Sequence, residues 1–200
     1  AASDVYKRQG YIIAACDEII QGKLDCWFIT DVIQGGAGTS TNMNANEVVA
    51  NRAAQLAGKA LGVYDYIHPN DHVNFGQSTN DVFPTAGKLT ALFLVEDLLE
   101  ELMLLQEALL DKSIEFNDVI KLGRTHLQDA VPIRMGQEFH AFATAIVRDI
   151  RRIKMAFSNL KSVNMGATAV GTGINTDERY KRICVKPVSY THLRAHETAA

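Results

Sequence analysis

Apolar residues recur at steps of three and four along two long stretches of this chain, and segments rich in Ser, Thr and Asn separate them. From about Asp81 to Asp118, Leu92, Val95, Leu99, Leu102, Leu105 and Leu109 keep one side, while Glu96, Glu100, Glu107 and Asp111 mark a solvated one. That period predicts a helix, roughly 55 Å long at the usual rise per residue. Phe93, Leu94 and Leu98 widen the stripe, so the helix is expected to pack on several neighbours. A second long helix is expected where Phe139, Phe142, Ala143, Ile146, Ile150, Ile153, Phe157 and Leu160 share a face. Arg148, Arg151, Arg152 and Lys154 form its solvated side. Shorter helices are predicted over Gly10–Gln21, stopped by Gly22, and over Asn46–Leu56, stopped by Gly58. Asp177 is expected to cap a further one. Leu24–Ile33 is apolar without a clear period. No internal repeat and no strand pair stands out, so the predicted fold class is all-α.

The polar segments hold the candidate chemistry. His68–Pro84 (HPNDHVNFGQSTNDVFP) runs straight into the longest helix, with Asn80 or Asp81 as the expected N-cap and Pro84 in the first turn. Free N–H groups and the positive dipole end make such a start a natural anion site. Gln34–Glu47 (QGGAGTSTNMNANE) has three glycines and many hydroxyls and amides, but neither the spacing nor the lysine of a phosphate loop. Lys121–Gly136 and Asn164–Asn175 are further polar segments read as loops. Together they offer many neutral donors, few carboxylates and no cysteine, which suits an anionic small molecule and not a cation or metal. His126, beside Thr125 and near Arg124, is placed to bind a carboxylate or relay a proton.

Composition narrows the classes. With 47% hydrophobic residues the chain has material for a core, and a net charge of −3 gives no reason to expect nucleic acid or an anionic membrane as partner. Cys16, Cys26 and Cys184 form no paired motif, which fits a reducing compartment. No apolar run approaches the ~20 residues of a membrane span. The opening AASDVYKRQ has no apolar core of a signal peptide. Ala1–Gln9 and Val188–Ala200 share no periodicity with their neighbours and resemble translated adapter sequence, so the natural chain is expected to extend past both. Two spacings resemble metal motifs and are set aside. His68 and His72 enclose Pro69 and Asn70, which argue for a loop, and the HExxH begun at His196 ends in Ala200. His192 falls in the same suspect tail.

Four long motifs occur in one order: GGAGTSTNMNANE (Gly35–Glu47), HPNDHVNFGQSTNDVFPT (His68–Thr85), GRTHLQDAVPIRMGQEF (Gly123–Phe139) and GATAVGTGIN (Gly166–Asn175). They resemble the aspartase/fumarase superfamily. AGTSTN at Ala37–Asn42 and QSTND at Gln77–Asp81, where fumarases typically read SGTQSN and QSSND, favour its aspartase branch. The resemblance implies part of a long-helix bundle truncated at both ends. Residues 10–79 would close an N-terminal helical domain, and residues 80–187 would begin the central bundle.

The resemblance also implies reversible elimination of ammonia from L-aspartate to fumarate, with no organic cofactor and no metal, in a cytoplasmic homotetramer with shared active sites. Ser78 and Thr79 would hold the side-chain carboxylate, and Thr39, Asn80 and His126 would sit near the amino end. Thr125 and His126 are the implied catalytic pair. The histidine has a proton-transfer role in fumarases and a binding and orienting one in aspartases. His68–Asp71 matches a second anion site of fumarases. The family's base is a serine on a GSSxMPxKxN loop, and that motif does not occur in these residues. The 200-residue chain is therefore expected to be inactive and, with broad apolar helix faces, to aggregate. The alternatives are a fumarate hydratase of the same superfamily and a non-catalytic helical oligomer.

Overall fold

The computed structural model describes residues 2–189 and 194–195. His192 and His196–Ala200 lie outside them, and with them the interrupted HExxH. The chain divides into two compact units, Ala1–Gly87 with Val163–Ala200, and Lys88–Ser162. Helices dominate both.

In the first unit, α1 (Ala2–Ile20) packs on α2 (Thr39–Leu56). The core between them is built from small side chains, since Ala15, Ala50 and Ala53 are fully buried beside Val49 and Ile67. Alanines at the crossing let the two backbones approach closely. Tyr11, Ile12, Ile19, Tyr64 and Tyr66 pack around that centre. Arg52 on α2 clasps Glu18 on α1 through two bonds of 2.5 and 2.8 Å. The bond to Arg52 holds the Glu18 carboxyl below its usual range.

The helix predicted over Gly10–Gln21 runs from Ala2, because nothing before Gly10 breaks a helix and Asp4 favours the first turn. Helix α2 likewise starts at Thr39 rather than Asn46. Its early hydroxyl and amide residues find partners instead of competing with the helix. The Thr41 N–H donates to Gln34 Oε1 at 3.2 Å, and the Asn42 amide donates to Thr79.

Helix α3 (Thr79–Glu115) opens in the first unit and continues through the second. Its cap is Ser78, not Asn80 or Asp81. The Asn80 N–H donates to Ser78 Oγ at 3.2 Å and the Ser78 N–H donates to Asp81 Oδ1 at 3.0 Å, a reciprocal capping box.

In the second unit, α3 and α4 (Met135–Leu160) are joined by an antiparallel hairpin, β1 (Ile120–Thr125) and β2 (Gln128–Arg134). This pair corrects the reading of Lys121–Gly136 as a loop. Alternation there is masked by Pro132 and by a bulge at Gly123, where a Cβ would lie 3.0 Å from the Val131 carbonyl oxygen. Thr125 pairs with Gln128 across a two-residue turn, His126–Leu127, whose residues have φ of 48° and 61°. Neither is the glycine or asparagine that usually announces such a turn. Helix α4 starts hard against the end of α3, where a Cβ on Gly136 would meet the Ser113 carbonyl oxygen at 2.3 Å. Phe116 and Phe139 stack nearby with centroids 5.5 Å apart.

Leu92, Val95, Ala143 and Ile150 are buried as the helical period predicts. Phe93, Leu94, Leu98, Met103 and Leu104 on α3, with Phe142, Val147 and Met155 on α4, remain exposed. The last helix, α5 (Tyr180–Ser189), belongs to the first unit. Asp177 precedes it and accepts from the Arg179 N–H at 2.8 Å.

Candidate functional site

Two helix N-termini meet in the first unit. Helix α2 begins after Gly38, whose φ of 88° lies in the left-handed region. A Cβ there would sit 2.4 Å from the Phe83 ring in the first turns of α3, so only glycine lets the two starts approach. A half-buried bond ties them together: Asn42 Nδ2 donates to Thr79 Oγ1 at 3.0 Å. Both starts present a positive dipole end, and several of their first N–H groups are already held, Thr41 by Gln34 and Asn80 by Ser78. Between them lies a groove of about 540 Å³ lined by Gln34, Ala37, Gly38, Thr79, Asn80 and Phe83, with no ionisable lining residue. Ser78 opens instead onto a second groove of about 460 Å³, shared with Asn70, Asn74, Gln77 and Asn175.

One carboxylate lies beneath this region and is fully committed. Asp81 is completely buried. Besides the Ser78 N–H on Oδ1, its Oδ2 accepts from the backbone of Gly166 at 3.1 Å and of Thr168 at 3.0 Å. The QSTND and GATAVGTGIN motifs are thus joined at a single side chain. Asn80 adds to the joint, since its Nδ2 donates to the Ala169 carbonyl and its own carbonyl accepts from Asn164.

These bonds fix a polarity on each polar side chain. A hydroxyl has one proton and two lone pairs. Ser78 Oγ accepts from the Asn80 N–H, and Thr79 Oγ1 accepts from Asn42. Both hydroxyls therefore keep their protons to give. Thr39 is the reverse: its hydroxyl donates to the Gly36 carbonyl at 2.9 Å and keeps lone pairs. Asn80 spends an N–H on Ala169 and keeps Oδ1 as an acceptor. Ser78 and Thr79 thus keep a proton and one lone pair, Asn80 keeps Oδ1 and a second N–H, and Thr39 keeps lone pairs alone.

Thr125 and His126 belong to the second unit, where both are exposed at the hairpin turn. Arg124 beside them pairs with Asp129 at 3.3 Å. Where Pro69 and Asn70 argue for a loop, Pro69–Val73 forms a π-helical turn capped by His68, whose Nδ1 accepts from the Asn70 and Asp71 N–H groups, while His72 Nδ1 accepts from the His68 N–H. Burial, with Arg8 close by, pushes the His72 imidazole below its ordinary pKa. Among the described residues no group of three or more His, Cys, Asp or Glu side chains is arranged to hold a metal. Burial pushes the Cys16 thiol up, away from the thiolate that a nucleophile needs. Two residues of this region escaped the sequence reading as parts of the site. The Ser78-x-x-Asp81 spacing is a capping signature that points to Asp81, whereas nothing local singles out Asn42 from its neighbouring amides.

The structure is thus a helical scaffold in which two Ser/Thr/Asn-rich helix N-termini flank a groove with no ionisable lining residue. The chain belongs to the lyase family, whose profile matches residues 2–200. It is 58% identical over 170 residues to an aspartate ammonia-lyase of a Bacillus species, covering 85% of this chain and 36% of the relative. It is 47% identical to the aspartate ammonia-lyase of Escherichia coli K12, covering 89% of this chain and 37% of that one. Among solved structures, a Brucella melitensis protein described as fumarate lyase:delta crystallin bound to cobalt superposes with a TM-score of 0.84 at 48% identity. That match covers 95% of this chain and 42% of the other. A class II fumarase from Schistosoma mansoni gives 0.80 at 40% identity, covering 92% and 39%. The chain thus spans little more than a third of the length of the aspartate ammonia-lyases it matches. No helix among the described residues is long and apolar enough to cross a membrane.

Proposed function

We propose that the chain is part of an aspartate ammonia-lyase, which eliminates ammonia reversibly from L-aspartate to give fumarate. One observation carries the reading beyond similarity. The residues that the family resemblance assigns to the carboxylate, Ser78 and Thr79, are those left with protons to donate. Those assigned to the amino end, Thr39 and Asn80, are left with acceptors for an ammonium group. The two helix starts suit the double charge that a carboxylate carries once the neighbouring carbon has lost its proton.

His126 and Thr125 are binding and orienting groups for active sites shared between subunits. The base is a serine on a GSSxMPxKxN loop outside these 200 residues. The exposed apolar faces of α3 and α4 fit helices supplied by other subunits of a homotetramer. The setting is the cytoplasm. Residues 10–79 and 80–187 belong to the N-terminal and central domains.

The test measures fumarate by ultraviolet absorbance with L-aspartate and then L-malate as substrate, using the complete protein. Release from aspartate alone supports the proposal, whereas release from malate alone favours a fumarase, the reading supported by the likeness to a class II fumarase. Thr79→Ala or Thr125→Ala should cost roughly 10²–10³ in turnover, the scale of one lost oxyanion donor. A loss of tenfold or less at both would overturn the carboxylate assignment.

A further inference from the structure

We infer that Asn42 is a positioning residue that fixes the direction of the Thr79 hydroxyl. The inference rests on the lyase reading and deepens it. Asn42 is 7% exposed and sits in the first turn of α2, too deep to meet a substrate in the groove. Its one bond to another element is the 3.0 Å contact to Thr79 Oγ1. Of the three hydroxyls Thr39, Ser78 and Thr79, that of Thr79 is held by a side chain from the other helix. The Ser78 hydroxyl is held by the backbone of its own turn, and the Thr39 hydroxyl by a carbonyl just before it.

The physical consequence follows from the hydroxyl's two roles. Left alone, a threonine hydroxyl in a first turn rotates freely and gives its proton to any nearby carbonyl. An amide N–H aimed at its oxygen occupies a lone pair, polarises the O–H bond and makes the hydroxyl a better donor. A donor already turned toward the forming charge needs no reorganisation when that charge develops. Asn42 thereby acts on the reacting carboxylate through Thr79 without touching it. Aspartate at this position would reverse the relation, because an ionised carboxylate only accepts and would draw the Thr79 proton inward. Protonation of that carboxyl would restore a donor.

The test is a double-mutant cycle in the complete enzyme, with Asn42→Asp, Thr79→Ala and the pair, read as kcat/KM for L-aspartate. Asn42→Asp should lower kcat/KM about 100-fold in the native background and less than about threefold once Thr79 is alanine. The activity of Asn42→Asp relative to wild type should rise as pH falls, because the protonated carboxyl can donate again. Asn42→Ala, which buries no new charge, is carried through the same cycle and should show the same coupling without the pH recovery. It decides the matter if Asn42→Asp does not fold. Equal costs in both backgrounds, or a loss below threefold for both single variants of Asn42, would overturn the inference while leaving the lyase reading intact. A wild-type protein that releases no fumarate from L-aspartate would overturn the lyase reading, and this inference with it.

Discussion

Replacing Asp81 by asparagine tests the joint beneath the site. The carboxylate is fully buried and accepts three backbone N–H groups, from Ser78, Gly166 and Thr168. An asparagine amide keeps one acceptor oxygen and turns an NH2 toward at least one of those donors. A hydrogen bond to a charged group is worth about 1.5–3 kcal/mol, and an orphaned buried donor costs about 1–3 kcal/mol. In the least damaging orientation the oxygen stays with Gly166 and Thr168, and Ser78 loses its partner. The surviving bonds also weaken with the loss of charge. The expected destabilisation is about 3–5 kcal/mol, a large share of the ~5–15 kcal/mol that holds a typical domain together. Hydrogen exchange read by mass spectrometry over residues 76–82 and 164–170 locates the effect, and denaturant unfolding gives its size. A loss below about 1 kcal/mol, or unchanged exchange in both segments, would refute the account of Asp81 as a staple.

Further expectations rest on other contacts. Gly38→Ala should destabilise by about 2–4 kcal/mol, combining the left-handed backbone penalty with overlap on Phe83. The additional substitution Phe83→Leu should recover part of that in thermal unfolding. Ile67→Ala, at a fully buried core position, should cost about 2–5 kcal/mol in denaturant unfolding, and a cost under 1 kcal/mol would mean the core is loosely packed. Asp177 should titrate at about 2, because its bond to Arg179 holds the carboxylate form. Its folded value is depressed, so the stabilisation it gives is present above its ordinary value of 3.8 and is lost as pH falls through about 2. Carboxyl-carbon NMR should show the midpoint return toward 3.8 in Arg179→Ala, and an unmoved midpoint would contradict the assignment.

Apolar period carried most of the helical architecture. Leu92, Val95, Ala143 and Ile150 point inward as their spacing demands. The period failed where side chains with low helix propensity find bonds that local sequence does not display. Residues 39–45 read as a loop because Thr and Asn prefer turns, yet Thr41 and Asn42 are held by Gln34 and Thr79, the latter 37 positions away. The hairpin was illegible because its turn uses a histidine and a leucine in left-handed backbone and its alternation slips at Gly123. The site was half legible. Hydroxyl-rich segments drew the reading to Thr39, Ser78 and Thr79. The hydroxyls of the first two are held by neighbours in sequence, but the partner of Thr79 is 37 positions away and only the fold brings it near.

The Asp81 staple also bears on how the chain is made. Its ligands at Gly166 and Thr168 are synthesised 85 and 87 residues after the carboxylate itself. At the usual pace of translation the carboxylate waits roughly 4–17 s for them. During that interval the start of α3 can form its own capping box, but the first unit cannot close. The second unit, built wholly from residues lying between the two halves of the first, can finish on the ribosome beforehand. The order of folding is thus set by the order of emergence. A strong translational pause placed between codons 90 and 160 should prolong the protease-sensitive state of the first unit in nascent chains.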